Sequence, residues 1–164
     1  MDNQLKAVGV DKLCEAHVKF TKFVQLIRVI LSNDGYRGQM PFKNEKAINL
    51  DEYEKSLKKS QEERTVDYID VLENNEVLLV ENKTNIKSRF SEKEASKIRE
   101  KYDHSKRIIN SLDGTFHNMY KKIVVLLKDT NFQEQKNRAT KLLTEKGLSC
   151  DVLTVSKLHR DYYH

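Results

Sequence analysis

An α/β fold, with a mixed central β-sheet flanked by helices, is what the sequence predicts. Three observations carry the prediction. Two runs of strand-forming residues, 66–72 and 77–83, flank the polar cluster Glu73-Asn74-Asn75-Glu76 and read as a β-hairpin. Two later apolar runs, 121–128 and 148–155, are each preceded by a stretch of helical periodicity. Strands joined through helices become parallel neighbours in a sheet covered on both faces, whereas the hairpin adds an antiparallel pair. The expected order is α-α-β-β-α-β-α-β, in one domain spanning residues 1–164, a length that supports a substantial core.

Taken in order, residues 11–32 place Leu13, His17, Phe20, Val24, Ile27 and Leu31 at steps of four and three. They therefore share one face of a first helix, with Asp11 as its N-cap. His17 in that stripe is either a packed histidine or a ligand. Residues 32–50 read as a loop, holding Asn33-Asp34-Gly35, Gly38 and the only proline, Pro41. Within it Asp34 is either a turn residue or a further carboxylate. Asp51 is the expected N-cap of a solvated, densely charged helix over 52–63.

Hairpin register decides which acid of the first strand meets the second. A loop of Glu73-Asn74-Asn75 sets Asp67 opposite Glu81 and requires Asn75 in the left-handed conformation. A two-residue loop brings Asp70 to that face instead. The three-residue loop is the favoured one. The second strand is apolar on both faces through Val80 and then ends in Glu81-Asn82-Lys83, with Glu81 and Lys83 on one face and Asn82 on the other. Charges at the end of a buried strand need partners or a task.

Past the hairpin, Ser91 and Glu94 form a capping box opening a helix to about residue 111. Ala95, Ile98, Tyr102, Ile109 and Leu112 make its inner face, and Asp113 with Gly114 stops it. Lys97 and Lys101, four residues apart beside the apolar stripe, are the expected contacts to a phosphate backbone, with Lys87 and Arg89 upstream. A strand over 121–128 follows, then a helix from Thr130 or Asn131 to Lys146 with Gly147 beyond it, and a strand over 148–155. The tail from Lys157 to His164 either docks or frays.

Val66-Asp67, then Val77–Val80, then Glu81-Asn82-Lys83 resembles the PD-(D/E)xK nuclease superfamily, with Val66 standing where the motif name has proline. The element order is similar to that superfamily's restriction-endonuclease-like core. The resemblance implies a Mg²⁺- or Mn²⁺-dependent endonuclease that hydrolyses phosphodiester bonds. Asp67 and Glu81, together with the backbone carbonyl of Asn82, would hold the metal, and Lys83 would position the water or the scissile phosphate. Two carboxylates suit such hard ions, which activate water and neutralise phosphate charge. A helical His, an Asp, an acid-x-Lys and a Lys on the next helix also resemble the RNA endonucleases of segmented negative-strand viruses. That pattern is matched by His17 as a ligand, Asp67, Glu81, Lys83 and Lys97 or Lys101. Restriction, repair and recombination nucleases acting on DNA are the broader alternative.

A net charge of +5 favours a polyanionic partner, here DNA or RNA. No apolar run reaches transmembrane length, and the first residues lack a signal-peptide pattern, so no membrane partner and a cytoplasmic setting are expected. Cys14 and Cys150 lack metal-type spacing and fit free thiols in a reducing compartment. A homodimer is compatible with the sequence. The rival from another class is an inactive nuclease-fold module that binds nucleic acid or protein.

Overall fold

The computed structural model describes residues 4–61, 63–83, 90–112, 116, 119–128 and 130–164. The centre is one six-stranded sheet in the order β1 (Val24–Leu26), β2 (Lys46–Asn49), β3 (Tyr68–Val71), β4 (Val77–Lys83), β5 (Tyr120–Leu126) and β6 (Asp151–Leu153). β1–β2, β2–β3 and β3–β4 are antiparallel. β4–β5 and β5–β6 are parallel.

Two cores lie on opposite faces of this sheet. On the first face Ile69, Val71, Val77, Leu79 and Val124 pack under α1 (Asp11–Ala16), the 3₁₀ segment Val18–Phe23, α3 (Leu50–Ser56), α4 (Glu92–Asn110) and α5 (Phe132–Glu145). On the second, Tyr68, Leu78, Val80, Ile123 and Val125 meet α2 (Ile27–Asn33) and α6 (Val155–Tyr162). The alternation of β4 between the two clusters is what a strand buried on both sides requires. No helix among the described residues is long and apolar enough to cross a membrane.

The hairpin has the three-residue loop. Asp70 pairs with Leu78 and Val71 with Val77, Leu72 N–H donates to Glu76 O at 2.9 Å, and Asn75 has φ 68°. Extending that register sets Asp67 opposite Glu81. The Ser91–Glu94 capping box is formed, and Gly147 follows α5 at φ 77°. The tail is docked, with Leu158 and Tyr162 buried under the sheet.

The N-terminal third departs from the expected single helix. The chain is helical at Asp11–Ala16, turns at an extended His17 (φ −148°), continues as the 3₁₀ segment, pairs as β1, and turns helical again at α2. The cause is the destination of the stripe: Leu13 and Phe20 belong to the first core, whereas Ile27 and Leu31 belong to the second. One straight helix cannot bury residues on both faces of a sheet, so the chain crosses at the edge strand β1. The expected loop over 32–50 likewise contains β2, which joins β1 to the hairpin. The helix expected over 52–63 is the shorter α3, and Asn49 rather than Asp51 caps it, accepting from Glu52 N–H at 3.0 Å.

A buried serine ties the start of the hairpin to α4. Ser105 Oγ accepts from Val66 N–H at 3.0 Å and donates to Lys101 O at 2.7 Å. Ser105→Ala would leave the Val66 amide buried and unpaired, so it is expected to lower unfolding free energy in urea by about 1–3 kcal/mol. An unchanged midpoint would show that the amide finds another partner.

Candidate active site

The open end of the hairpin, away from its turn, places the acids. Asp67 sits just before β3 and its carboxylate finishes the ladder there: Oδ2 accepts from Asn82 N–H at 2.6 Å. Glu81, 1% exposed, projects to the α4 side, where Lys101 from α4 donates to its Oε1. Lys101 is itself only 8% exposed. The Asn82 side chain goes to the other face and donates from Nδ2 to Asp34 Oδ2 at 2.8 Å. Asp34 caps the C-terminal end of α2, its N–H donating to Ile30 O at 2.9 Å, so it is both the turn residue and a further carboxylate at this place. Together Asp34, Arg64, Asp67, Glu81, Asn82, Lys83 and Lys101 line a cleft of about 260 Å³.

Like charges converging in a partly dry cleft hold their protons tightly. Burial first, then the Glu81 and Asp34 carboxylates, raise Asp67 well above the usual carboxylate range. Burial raises Glu81, against the opposing pull of the Lys101 ammonium. Burial raises Asp34 too, opposed by its hydrogen bond from Asn82.

The donor set fits a hard divalent cation. Glu81 Oε2 and Asn82 Oδ1 are buried and have no hydrogen-bond partner among the described residues. The acids around them supply oxygen ligands of the kind Mg²⁺ and Mn²⁺ prefer. No group of three or more His, Cys, Asp and Glu side chains among the described residues forms a ready-made metal cage. Mg²⁺ commonly does without one, being held by one or two carboxylates, waters and substrate phosphates.

Not every expected residue arrives here. His17 lies against the 3₁₀ segment and α3: its Nε2 is 2.9 Å from the Tyr53 hydroxyl, and its ring stands edge-on to Phe20 and Tyr53. It does not line the cleft. The reason is the chain reversal after α1, which turns the imidazole into the aromatic cluster. Lys101, expected to contact a phosphate backbone, is the buried counter-ion of Glu81. Lys97 is exposed on α4 one turn earlier. Lys87, Arg89, Asp113 and Gly114 lie outside the described residues. Arg64, which sequence reasoning missed, reaches the cleft from the segment before β3. A charged residue in a polar connection carries no local signal of its destination.

Asp70, the alternative acid, faces the second core. Its Oδ1 accepts from Val71 N–H and its Oδ2 from the Tyr163 hydroxyl, both at 2.8 Å, and burial raises its pKa to about 7. The folded state thus binds this proton more tightly than the unfolded chain, whose Asp titrates near ~3.9. Its contribution is most favourable below that value and is lost as pH rises towards 7. By linkage the loss amounts to at most about 4 kcal/mol. Asp70→Asn is expected to flatten the decline in stability between pH 4 and 8, although Asn forfeits one of the two hydrogen bonds. Urea titrations across that range check it, and an unaltered slope would exonerate Asp70.

No protein-family model, curated protein or solved structure matches this chain.

Proposed function

We propose that the protein is a Mg²⁺- or Mn²⁺-dependent nuclease with a restriction-endonuclease-like core, hydrolysing phosphodiester bonds in nucleic acid. The observation that carries this reading is that Asp67, Glu81 and Lys83 line one cleft, in a register that, extended by one residue, sets Asp67 opposite Glu81. The roles follow from position. Asp67 and Glu81 would hold the cation, which when bound supplies charge neutralisation at the phosphate and a water of lowered pKa, and Asp34 holds the Asn82 side chain behind them. Asn82 fixes the spacing of two of these acids, its amide on Asp67 and its side chain on Asp34. Lys83, at the mouth of β4, orients the attacking water or the scissile phosphate, and the positive end of its chain meets the charge that develops there.

A rival reading is favoured by one contact. The Lys101 ammonium already neutralises Glu81, as it would in a nuclease-fold module that binds nucleic acid or protein without cutting. The deciding experiment is incubation of labelled single- and double-stranded DNA and RNA with the protein in Mn²⁺, Mg²⁺ or EDTA. Cleavage that requires the metal is the expected result. A folded protein that binds the polymers but leaves them intact in both metals would establish the rival.

A further inference from the structure

Beside the cleft runs a second and larger cavity, of about 460 Å³, between α4 and the segment before β3. Its lining includes Glu63, Arg64, Lys97, Lys101, Asp103 and Arg107. Arg64 and Lys101 line both spaces, so the two adjoin at these residues.

The charges in this cavity are not equivalent. Glu63 is held by His104, whose Nδ1 lies 2.8 Å from its Oε2, and by Arg107 at 3.6 Å. Asp103 lies 3.7 Å from both Arg99 and Lys106. Two of the acids are therefore engaged with basic partners of their own. Arg64 and Lys97, both exposed, make no ion pair among the described residues. Against the one remaining acid, the exposed Glu100, stand the cations Arg64 and Lys97, with Lys83 at the cleft.

We propose that this cavity is the binding site for the nucleotide next to the cut, with Arg64 and Lys97 on successive phosphates, and that the substrate is accordingly a single strand. The inference rests on the nuclease reading for the location of the cut. Arginine suits the first position because its planar fork can bind a phosphate through two donors at once. A flexible strand can lead one nucleotide off its path into a cavity walled by a helix, whereas a duplex holds its nucleotides stacked and paired.

The test is fluorescence anisotropy with labelled oligonucleotides of roughly 12 nucleotides, single-stranded and duplex, in EDTA so that binding is read without cleavage. The proteins are the wild type and the double variant Arg64→Ala/Lys97→Ala. Both side chains are exposed and outside the cores, and circular dichroism would verify the fold. The single strand is expected to bind about tenfold tighter than the duplex, and the double variant to lose about tenfold in single-strand affinity. The slope of log affinity against log salt should fall by about 1.4, two phosphates at about 0.7 each. Equal affinity for duplex and single strand, or a variant that binds like wild type, overturns the proposal. Tight single-strand binding that needs Arg64 and Lys97, without any metal-dependent cutting, would sustain this site and defeat the nuclease reading. Cutting by the double variant with unchanged KM would do the reverse.

Discussion

Lys83→Ala is expected to reduce metal-dependent cleavage by about 10²–10³-fold, the usual cost of losing one group that stabilises developing charge. The backbone of β4 should be indifferent to the change. Lys83 O accepts from Leu127 N–H at 2.9 Å, and the parallel pairing with β5 runs through to Leu126, neither of which involves the side chain. Burial of the apolar residues of β4 is equally untouched. Single-turnover assays in Mn²⁺ with saturating substrate read the chemical step, and melting curves verify that the fold survives. Full activity in this variant would remove Lys83 from the mechanism and pass its role to Lys101 or Arg64.

Lys101→Met should have the largest effect on stability. It removes one partner of an ion pair whose side chains are 10% and 1% exposed, leaving the Glu81 carboxylate without its neutralising charge. Breaking a buried pair in this way costs about 3–5 kcal/mol. The sign of the pH dependence is fixed by Glu81. Its folded pKa is already raised by burial despite Lys101, and losing the ammonium raises it further. The penalty is therefore largest above that pKa and shrinks as falling pH protonates the carboxyl. Urea unfolding at pH 8 and pH 5 checks both points. A loss of equal size at the two pH values would mean that packing of the lysine stem, rather than its charge, holds α4 to the sheet.

Local chemistry makes some features of the fold readable in the sequence. The hairpin register follows from Asn75, which tolerates a positive φ, and from an apolar strand that cannot slip by one residue without reversing its faces. The start of α4 follows from Ser91 and Glu94, three residues apart. Asp67 and Glu81 were legible because a hairpin is a local object. Asp34 was legible only as one of two alternatives, a turn residue or a further carboxylate, and Arg64 not at all, since each is brought to the cleft by packing of distant segments. β1 and β2, three and four residues long, are too short to impose a period: the stripe through β1 read as one helix because steps of three and four persisted through a crossing between two cores, and β2 lay within the expected loop. Lys101 was expected beside the apolar stripe of its helix, but periodicity does not report depth, and depth makes it the counter-ion of Glu81.

The strands lie across the sheet in the order in which they occur along the chain, from β1 to β6. During synthesis each new strand therefore joins the free edge of those already made, and no paired strands have to part to admit a latecomer. The acidic half of the cleft is laid down first by this schedule. Asp34, Asp67 and Glu81 all emerge before Lys101, which follows Glu81 by 20 residues. At a ribosomal pace of about 5–20 residues per second, the nascent hairpin spends a second or more with its carboxylates facing water and without their lysine. Closure of α4 over the sheet is then the event that both dries Glu81 and supplies its counter-charge, so the cleft is finished by a helix that arrives late.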